Sequence, residues 1–204
     1  MLNSAGRSGA YYVPGGPRQQ GLPLLVLLHA TGGSGRGAIP LFRSLAQARR
    51  FAIVAPDSRR APGGELTWEV GNHAGEVTPD LIHVLECIQW VRGHTGLMVD
   101  GSHVLIAGYS GGGSSAPYIA SNRPLFTHIA VLHGGVFAGG IGPRRLPAWF
   151  STGEEDTVRP VALVRQAADA LSRLGFTVTF RTYRGAHTPS DAELRDLVAW
   201  WLGQ

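Results

Sequence analysis

Short continuous runs of apolar residues recur along the chain and are separated by longer stretches of helical length. Runs such as Leu24–Leu28 and Val104–Ala107 lack polar alternation, which is typical of strands covered on both faces by helices. This pattern predicts six strands, at Pro23–His29, Phe51–Pro56, His103–Gly108, Thr127–His133, Leu146–Thr152 and Phe176–Tyr183. Residues 1–20 are interpreted as an extended N-terminal segment, in which Ser8–Val13 is predicted to form an antiparallel edge strand.

Apolar residues at helical spacing lie between the predicted strands. After Thr78-Pro79 they follow the i, i+3, i+4, i+7 rule, at Leu81, Val84, Leu85, Ile88 and Val91. Further helices are predicted at Ala38–Arg49, from Ser110 to about Asn122, from about Pro160 to Gly175, and after a cap at Thr188 or Ser190 that pairs with Glu193. Strand-then-helix alternation predicts one α/β domain over residues 1–204, with a mostly parallel sheet of six to seven strands flanked by helices.

Composition is consistent with a globular domain that needs no membrane. Of 204 residues, 44% are hydrophobic and 16% charged, so the chain can bury a core. No apolar run approaches the roughly 20 residues that span a bilayer. Residues 1–20 show no apolar core of a secretory signal, and the lone Cys87 cannot form an internal disulfide, so a cytoplasmic protein is predicted.

The basic residues do not indicate a nucleic-acid partner. The net charge is +4, and all 18 basic residues are arginines that are scattered along the chain. They form no stripe interleaved with aromatic residues, so we expect no nucleic acid as partner. The sequence does not distinguish a monomer from a homodimer.

Gly108-Tyr109-Ser110-Gly111-Gly112 follows a predicted strand and precedes a predicted helix. This is the strand–turn–helix context of the G-x-S-x-G nucleophile elbow, which holds a serine out at the carboxyl edge of a sheet. A nucleophilic serine needs a base, and the base needs a carboxylate. Candidates follow the next strands in the order acid then histidine, because Glu154, Glu155 and Asp156 follow one strand and His187 follows another.

These motifs resemble the α/β-hydrolase superfamily, within it the small serine carboxylesterases similar to polyhydroxybutyrate depolymerases and feruloyl esterases. The resemblance covers roughly residue 22 to the C-terminus and rests on LLVLLHATGG, IVAPDSR, GYSGGG, TGEEDTVRP and GAHTPS. It implies that Ser110 is the nucleophile, Asp156 the acid and His187 the base. It also implies an oxyanion hole formed by the backbone N–H groups of Thr31 and Gly111, although Ala30 stands where related esterases usually carry glycine.

The function that follows is hydrolysis of short-acyl or small soluble carboxylic esters through an acyl-enzyme. A thioesterase, a peptidase and a binding module that has lost activity remain alternatives, because the acyl-enzyme step does not identify the leaving group. His133 is a weaker candidate for the base. No cofactor and no metal are predicted, and the short connection before Leu146 leaves no room for a helical lid. The predicted pocket wall consists of Trp68, Tyr109, His133, Val136 and Phe137.

Overall fold

The computed structural model describes residues 6–16, 21–135, 137 and 139–203. Strands and helices alternate along them nearly as the hydrophobic pattern predicts. The elements are β1 Gly9–Tyr12, β2 Leu22–Leu28, α1 Gly35–Ala38, α2 Pro40–Arg49, β3 Ala52–Pro56, β4 Arg59–Arg60, β5 Leu66–Thr67, α3 Pro79–Thr95, β6 Val99–Tyr109, α4 Gly111–Ser121, β7 His128–Leu132, β8 Pro147–Gly153, α5 Val161–Arg173, β9 Thr177–Tyr183 and α6 Asp191–Leu202.

Seven strands form one sheet in the order β1-β3-β2-β6-β7-β8-β9. All neighbouring strands are parallel except β1 and β3, which run antiparallel. The predicted mostly parallel sheet and its antiparallel edge strand are therefore confirmed. Because β2, β6, β7, β8 and β9 point the same way, the loops at their carboxyl ends meet at one edge of the sheet.

The sheet separates two apolar cores, and alternate residues of each buried strand enter opposite ones. In β2, Leu24, Val26 and Leu28 pack toward α3, α4 and α5, whereas Leu25 and Leu27 pack toward α2 and α6. This explains why β2 is apolar at nearly every position, since both of its faces are covered. The stripe predicted for α6 is also buried, including Leu194, Leu197, Val198 and Trp201.

Two local features differ from the sequence prediction. A separate two-stranded hairpin, β4 with β5, lies between β3 and α3 and has no hydrophobic period, because each strand is only two residues long. The helix predicted at Ala38–Arg49 is confirmed as α2, which begins at Pro40, and the short helix α1 before it was not predicted. Proline fits the first turn of a helix because its missing N–H would have no partner there.

No helix lies between β7 and β8 among the described residues of that connection, 133–135, 137 and 139–146. The prediction that a helical lid is absent holds for this part of the chain. Across all the residues that the structure describes, no helix is long and apolar enough to cross a membrane.

Candidate active site

Ser110 occupies a sharp turn between β6 and α4, with φ of 53° and ψ of −114°. Few residues other than glycine adopt this conformation, so the surrounding packing must hold it. A side-chain carbon at Gly108 would lie 2.2 Å from the backbone carbon of Gly112, and one at Gly112 would lie 2.5 Å from the carbonyl oxygen of Leu28. Both flanking positions therefore require glycine, which is the physical content of the G-x-S-x-G motif.

Three side chains from three different loops meet at this turn. The Nε2 atom of His187 lies 3.0 Å from the Oγ atom of Ser110. The Nδ1 atom of the same ring lies 2.7 Å from the Oδ2 atom of Asp156. The ring of His187 is 20% exposed, whereas the Asp156 side chain is completely buried. The order and distances match a nucleophile, a base and an orienting acid.

Asp156 is held as an ionised acceptor. Its Oδ1 atom accepts hydrogen bonds from the backbone N–H groups of Val158 at 2.9 Å and Arg159 at 2.7 Å. Burial acts to raise the pKa of Asp156, but the Arg159 N–H and the histidine hydrogen bonds outweigh burial and lower it to about 2. Glu154 and Glu155, the competing acids, are exposed. Among the three carboxylates of this loop, Asp156 is the one that contacts His187.

The loop after β2 lies beside the first residue of α4. A side-chain carbon at Gly111 would come within 2.3 Å of Thr31 Oγ1 and 3.3 Å of the Thr31 nitrogen. Among the described residues, the backbone N–H groups of Thr31 and Gly111 have no acceptor in the protein. Ala30, the departure from the family pattern, has no positive φ, so a side chain is accommodated there without strain. Two adjacent unpaired donors are what an oxyanion hole requires.

His29 holds the loop after β2 in place by hydrogen bonds, a role that the sequence did not indicate. Its Nε2 atom accepts from the Ser58 N–H at 3.0 Å, and its Nδ1 atom lies 2.7 Å from the Ala30 carbonyl oxygen. Burial lowers the pKa of His29, which is consistent with a neutral ring that donates from Nδ1. The Trp68 Nε1 atom donates to the His29 carbonyl oxygen at 2.8 Å. The loop is thus fixed by two buried rings.

The predicted pocket residues separate into different environments. Tyr109 lines a cavity of about 270 Å³ whose wall is mostly small and apolar, formed with His29, Ala30, Gly33, Ser34, Gly37, Ala38 and Leu41. A larger cavity of about 610 Å³ lies between β1 and the α1–α2 segment and is lined by none of Ser110, Asp156 and His187. None of these three residues lines the cavity beside Tyr109 either, but Tyr109 directly precedes Ser110, so this cavity lies next to the elbow.

Two of the predicted wall residues lie below the surface instead. Trp68 is 8% exposed and packs against His29, and His133 is completely buried. Neither ring can line an open cleft, because both rings are buried in the protein interior. Phe137 is partly buried and packs edge-to-face on Phe150. Val136 lies outside the described residues.

His133 instead contacts the carboxylate of Asp156. Its Nδ1 atom lies 2.8 Å from Asp156 Oδ2, the same oxygen that His187 contacts, and its Nε2 atom lies 3.3 Å from Glu193 Oε2. Glu193 is 1% exposed and also completes the capping box of α6 with Ser190. The sequence identified Glu193 only as a cap, since no spacing rule links it to a residue 60 positions earlier.

His133, Asp156 and His187 could also be read as a metal site, because one ligand atom from each lies within 4.8 Å of the others. The direct N–H···O distances of 2.7 and 2.8 Å account for this clustering as hydrogen bonds. Ligands around a tetrahedral zinc ion at about 2.1 Å would instead be separated by more than 3 Å. The residues therefore fit a hydrogen-bonded network better than a metal site.

The sheet order, the elbow and the carboxyl-edge site define the α/β-hydrolase fold, and solved structures agree. The crystal structure of esterase PE8 matches with a TM-score of 0.71 and 22% identity over 97% of this chain and 98% of that chain. A Bacillus cereus carboxylesterase matches with a TM-score of 0.72 and 17% identity over 98% and 95%. Arabidopsis thaliana SOBER1 matches with a TM-score of 0.66 and 22% identity over 89% and 98%. No protein-family model and no curated protein sequence matches the chain.

Proposed function

We propose that this protein is a serine hydrolase that cleaves small carboxylic esters through an acyl-enzyme. The observation that carries the proposal is the continuous contact from Ser110 Oγ to His187 Nε2 at 3.0 Å and from His187 Nδ1 to Asp156 Oδ2 at 2.7 Å. The structural neighbours described as esterase and carboxylesterase support an ester as the substrate.

The reaction proceeds in two half-reactions. Ser110 Oγ attacks the ester carbonyl carbon while His187 Nε2 takes the hydroxyl proton, and the N–H groups of Thr31 and Gly111 stabilise the oxyanion. The C–O bond to the alcohol then breaks, and the alcohol leaves with the proton from His187. Water attacks the acyl-enzyme by the same route, which releases the acid and restores Ser110.

The size of the adjacent cavity supports a small apolar group in the substrate. At about 270 Å³, it lies just below the roughly 300 to 1,000 Å³ of cavities that bind drug-sized molecules. Its wall of alanine and glycine with Leu41 and Tyr109 offers apolar contact and no charged side chain. We therefore expect hydrolysis to decline from p-nitrophenyl acetate and butyrate to octanoate.

The test compares wild type with Ser110→Ala on these three esters, with folding followed by circular dichroism. We expect kcat/KM to fall by about 10³-fold or more in the folded variant, because the nucleophile is lost. Ser172→Ala, which removes an exposed serine from α5, is the matched control and keeps full activity. We also expect EDTA to leave the rate of ester hydrolysis unchanged, because the proposed mechanism uses no metal ion.

A fluorophosphonate probe provides a second readout that does not depend on the choice of ester. It should label wild type and Ser172→Ala at Ser110 and leave Ser110→Ala unlabelled. Equal ester hydrolysis by Ser110→Ala, or no labelling of the wild type, would contradict the proposal and favour the binding-module alternative. Labelling without ester hydrolysis would keep the nucleophile but move the substrate to a thioester or a peptide.

A further inference from the structure

A second buried histidine lies behind the catalytic acid. His133 follows β7 with φ of 52°, a conformation that residues other than glycine seldom adopt. Its backbone N–H still bonds to the Ser151 carbonyl oxygen at 2.8 Å, so the ring is aimed by the end of the sheet itself. Strained backbone of this kind is held only where the surrounding structure demands it. Here it directs the ring between two buried carboxylates, Asp156 and Glu193.

The hydrogen bond to Asp156 fixes the proton on one nitrogen of this ring. Ionised Asp156 can only accept, so His133 Nδ1 must donate to it. On the other side, Glu193 Oε2 already accepts from the Ser190 N–H at 3.2 Å and faces His133 Nε2. Glu193 Oε1 is buried with no hydrogen-bond partner in the described part of the protein. A buried carboxylate needs a nearby positive charge, and doubly protonated His133 supplies it.

The electrostatic balance points the same way. Burial acts to lower the pKa of His133, but hydrogen bonds and charge contacts with Glu193 and Asp156 outweigh burial and raise it. The other titratable groups that face the ring are His187, whose ring centre lies 5.5 Å away, and Tyr109, at 6.0 Å. Two carboxylates and two histidines thus share one buried cluster.

Both histidines donate from Nδ1 to the same Asp156 oxygen, and their ring planes are nearly perpendicular, at 87°. His133 therefore restricts Asp156 Oδ2 with a second hydrogen bond besides that of His187. When His187 takes the serine proton, the positive charge on His133 opposes the new charge across the shared oxygen. Removing that charge makes protonated His187 easier to form.

We propose that His133, held by Glu193, is a positioning residue that anchors Asp156 and whose positive charge sets the pH below which His187 becomes protonated and inactive. The catalytic part of this inference rests on the proposed function, whereas the charge on His133 does not. The cluster is then a chain of hydrogen-bonded residues, in the order Ser110, His187, Asp156, His133 and Glu193.

Two conservative variants separate charge from shape. His133→Asn keeps a side-chain N–H that can reach Asp156, and asparagine tolerates the positive φ, but the charge is lost. Glu193→Gln keeps the capping box, which accepts glutamine, and removes the charge that holds His133 protonated. His128→Asn lies at the opposite end of β7 and is the matched control.

The expected readout is the acid limb of the kcat/KM–pH profile for a p-nitrophenyl ester. In His133→Asn it should move to higher pH by about 0.5 to 2 units, the range that a charge at this distance produces. In Glu193→Gln it should move in the same direction by less, because the more distant negative charge of Glu193 is lost together with the nearer positive charge of His133. KM should stay within about twofold, and the double variant should move no further than His133→Asn. An acid limb that stays in place in both folded variants would overturn the proposal, as would an equal shift in His128→Asn.

A measurement without turnover keeps this inference separate from the proposed function. Imidazole ¹⁵N NMR of the resting protein should show His133 protonated on both nitrogens at pH 7.5, with its signals identified by their loss in His133→Asn. The midpoint of the His187 ring titration should rise in that variant. A neutral His133 ring would overturn the proposal even if the enzyme is active. Absence of any esterase activity with a charged His133 would instead contradict only the proposed function.

Discussion

At the scale of single residues, Asp156 links the chemistry of the site to the stability of the fold. The pKa of this carboxyl is lowered from 3.8 to about 2. A lowered pKa in the folded state contributes stability above the ordinary value, and that stability is lost as the pH falls through the folded-state value. The contribution is about 2 kcal/mol at neutral pH.

We therefore predict that Asp156→Asn lowers the free energy of unfolding most strongly above pH 5. The difference from wild type should shrink as the pH falls from about 4 to 2, where the wild-type carboxylate itself becomes protonated. Urea unfolding at a series of pH values measures it. Asp169→Asn removes an exposed acid from α5 and serves as the control. A difference between wild type and Asp156→Asn that is independent of pH would show that the charge does not contribute.

Single residues also show where the sequence was informative about the site. Ser110, His187 and the three carboxylates Glu154–Asp156 were predicted because each group follows a strand that the hydrophobic pattern identifies, and the family resemblance implied Asp156 among the three. His133 was predicted as a pocket wall or a weaker base, and its contact with Asp156 was not foreseen. Its ring direction depends on the positive φ and on Glu193, which lies on a distant helix. Neither feature leaves a local pattern in the sequence.

At the scale of elements, the elbow between β6 and α4 depends on close backbone packing. A methyl group at Gly108 would overlap the backbone of Gly112, and neither the strand nor the helix can move without disturbing the sheet. We predict that Gly108→Ala lowers the free energy of unfolding by about 2 kcal/mol or more. Activity should fall with it, because the strained Ser110 conformation is held by this packing.

Gly93→Ala provides the matched comparison. Gly93 lies on the exposed face of α3, and an added carbon there meets nothing within 4 Å. Alanine should stabilise this helix by about 0.5 to 1 kcal/mol, because glycine loses more backbone entropy. Thermal and urea unfolding of both variants test the pair. If Gly108→Ala were as stable as Gly93→Ala, the elbow would be less tightly packed than described.

The elements differ in how well their sequence predicts them. The long buried strands and the amphipathic helices were predicted within a few residues, because burial of a whole face imposes a period. β6 begins at Val99 rather than His103, and its first residues include exposed polar positions. The β4–β5 hairpin was missed, since two-residue strands carry no period. The four-residue helix α1 was also missed, because so short a segment carries no helical period.

At the scale of the whole molecule, the described part of the β7–β8 connection contains no helix that could cover the site. If no helix covers the site, there is no closed form for an oil surface to open. We predict that the rate on p-nitrophenyl butyrate rises smoothly with concentration and shows no jump where the ester exceeds its solubility. A steep increase at that point would indicate a segment that closes over Ser110 and opens at an interface.

The sequence by itself determined the layered α/β architecture, the order of the long strands along the chain, and the loops that bring Ser110, His187 and an acid to the carboxyl edge. It could do so because periodic burial and the backbone demands of the elbow are local properties. Tertiary structure alone decided that Trp68 and His29 support the loop after β2, and that His133 and Glu193 lie behind Asp156. These contacts join residues far apart in the chain, and their energies arise from burial and shared charge, which exist only after the sheet has brought its edges together.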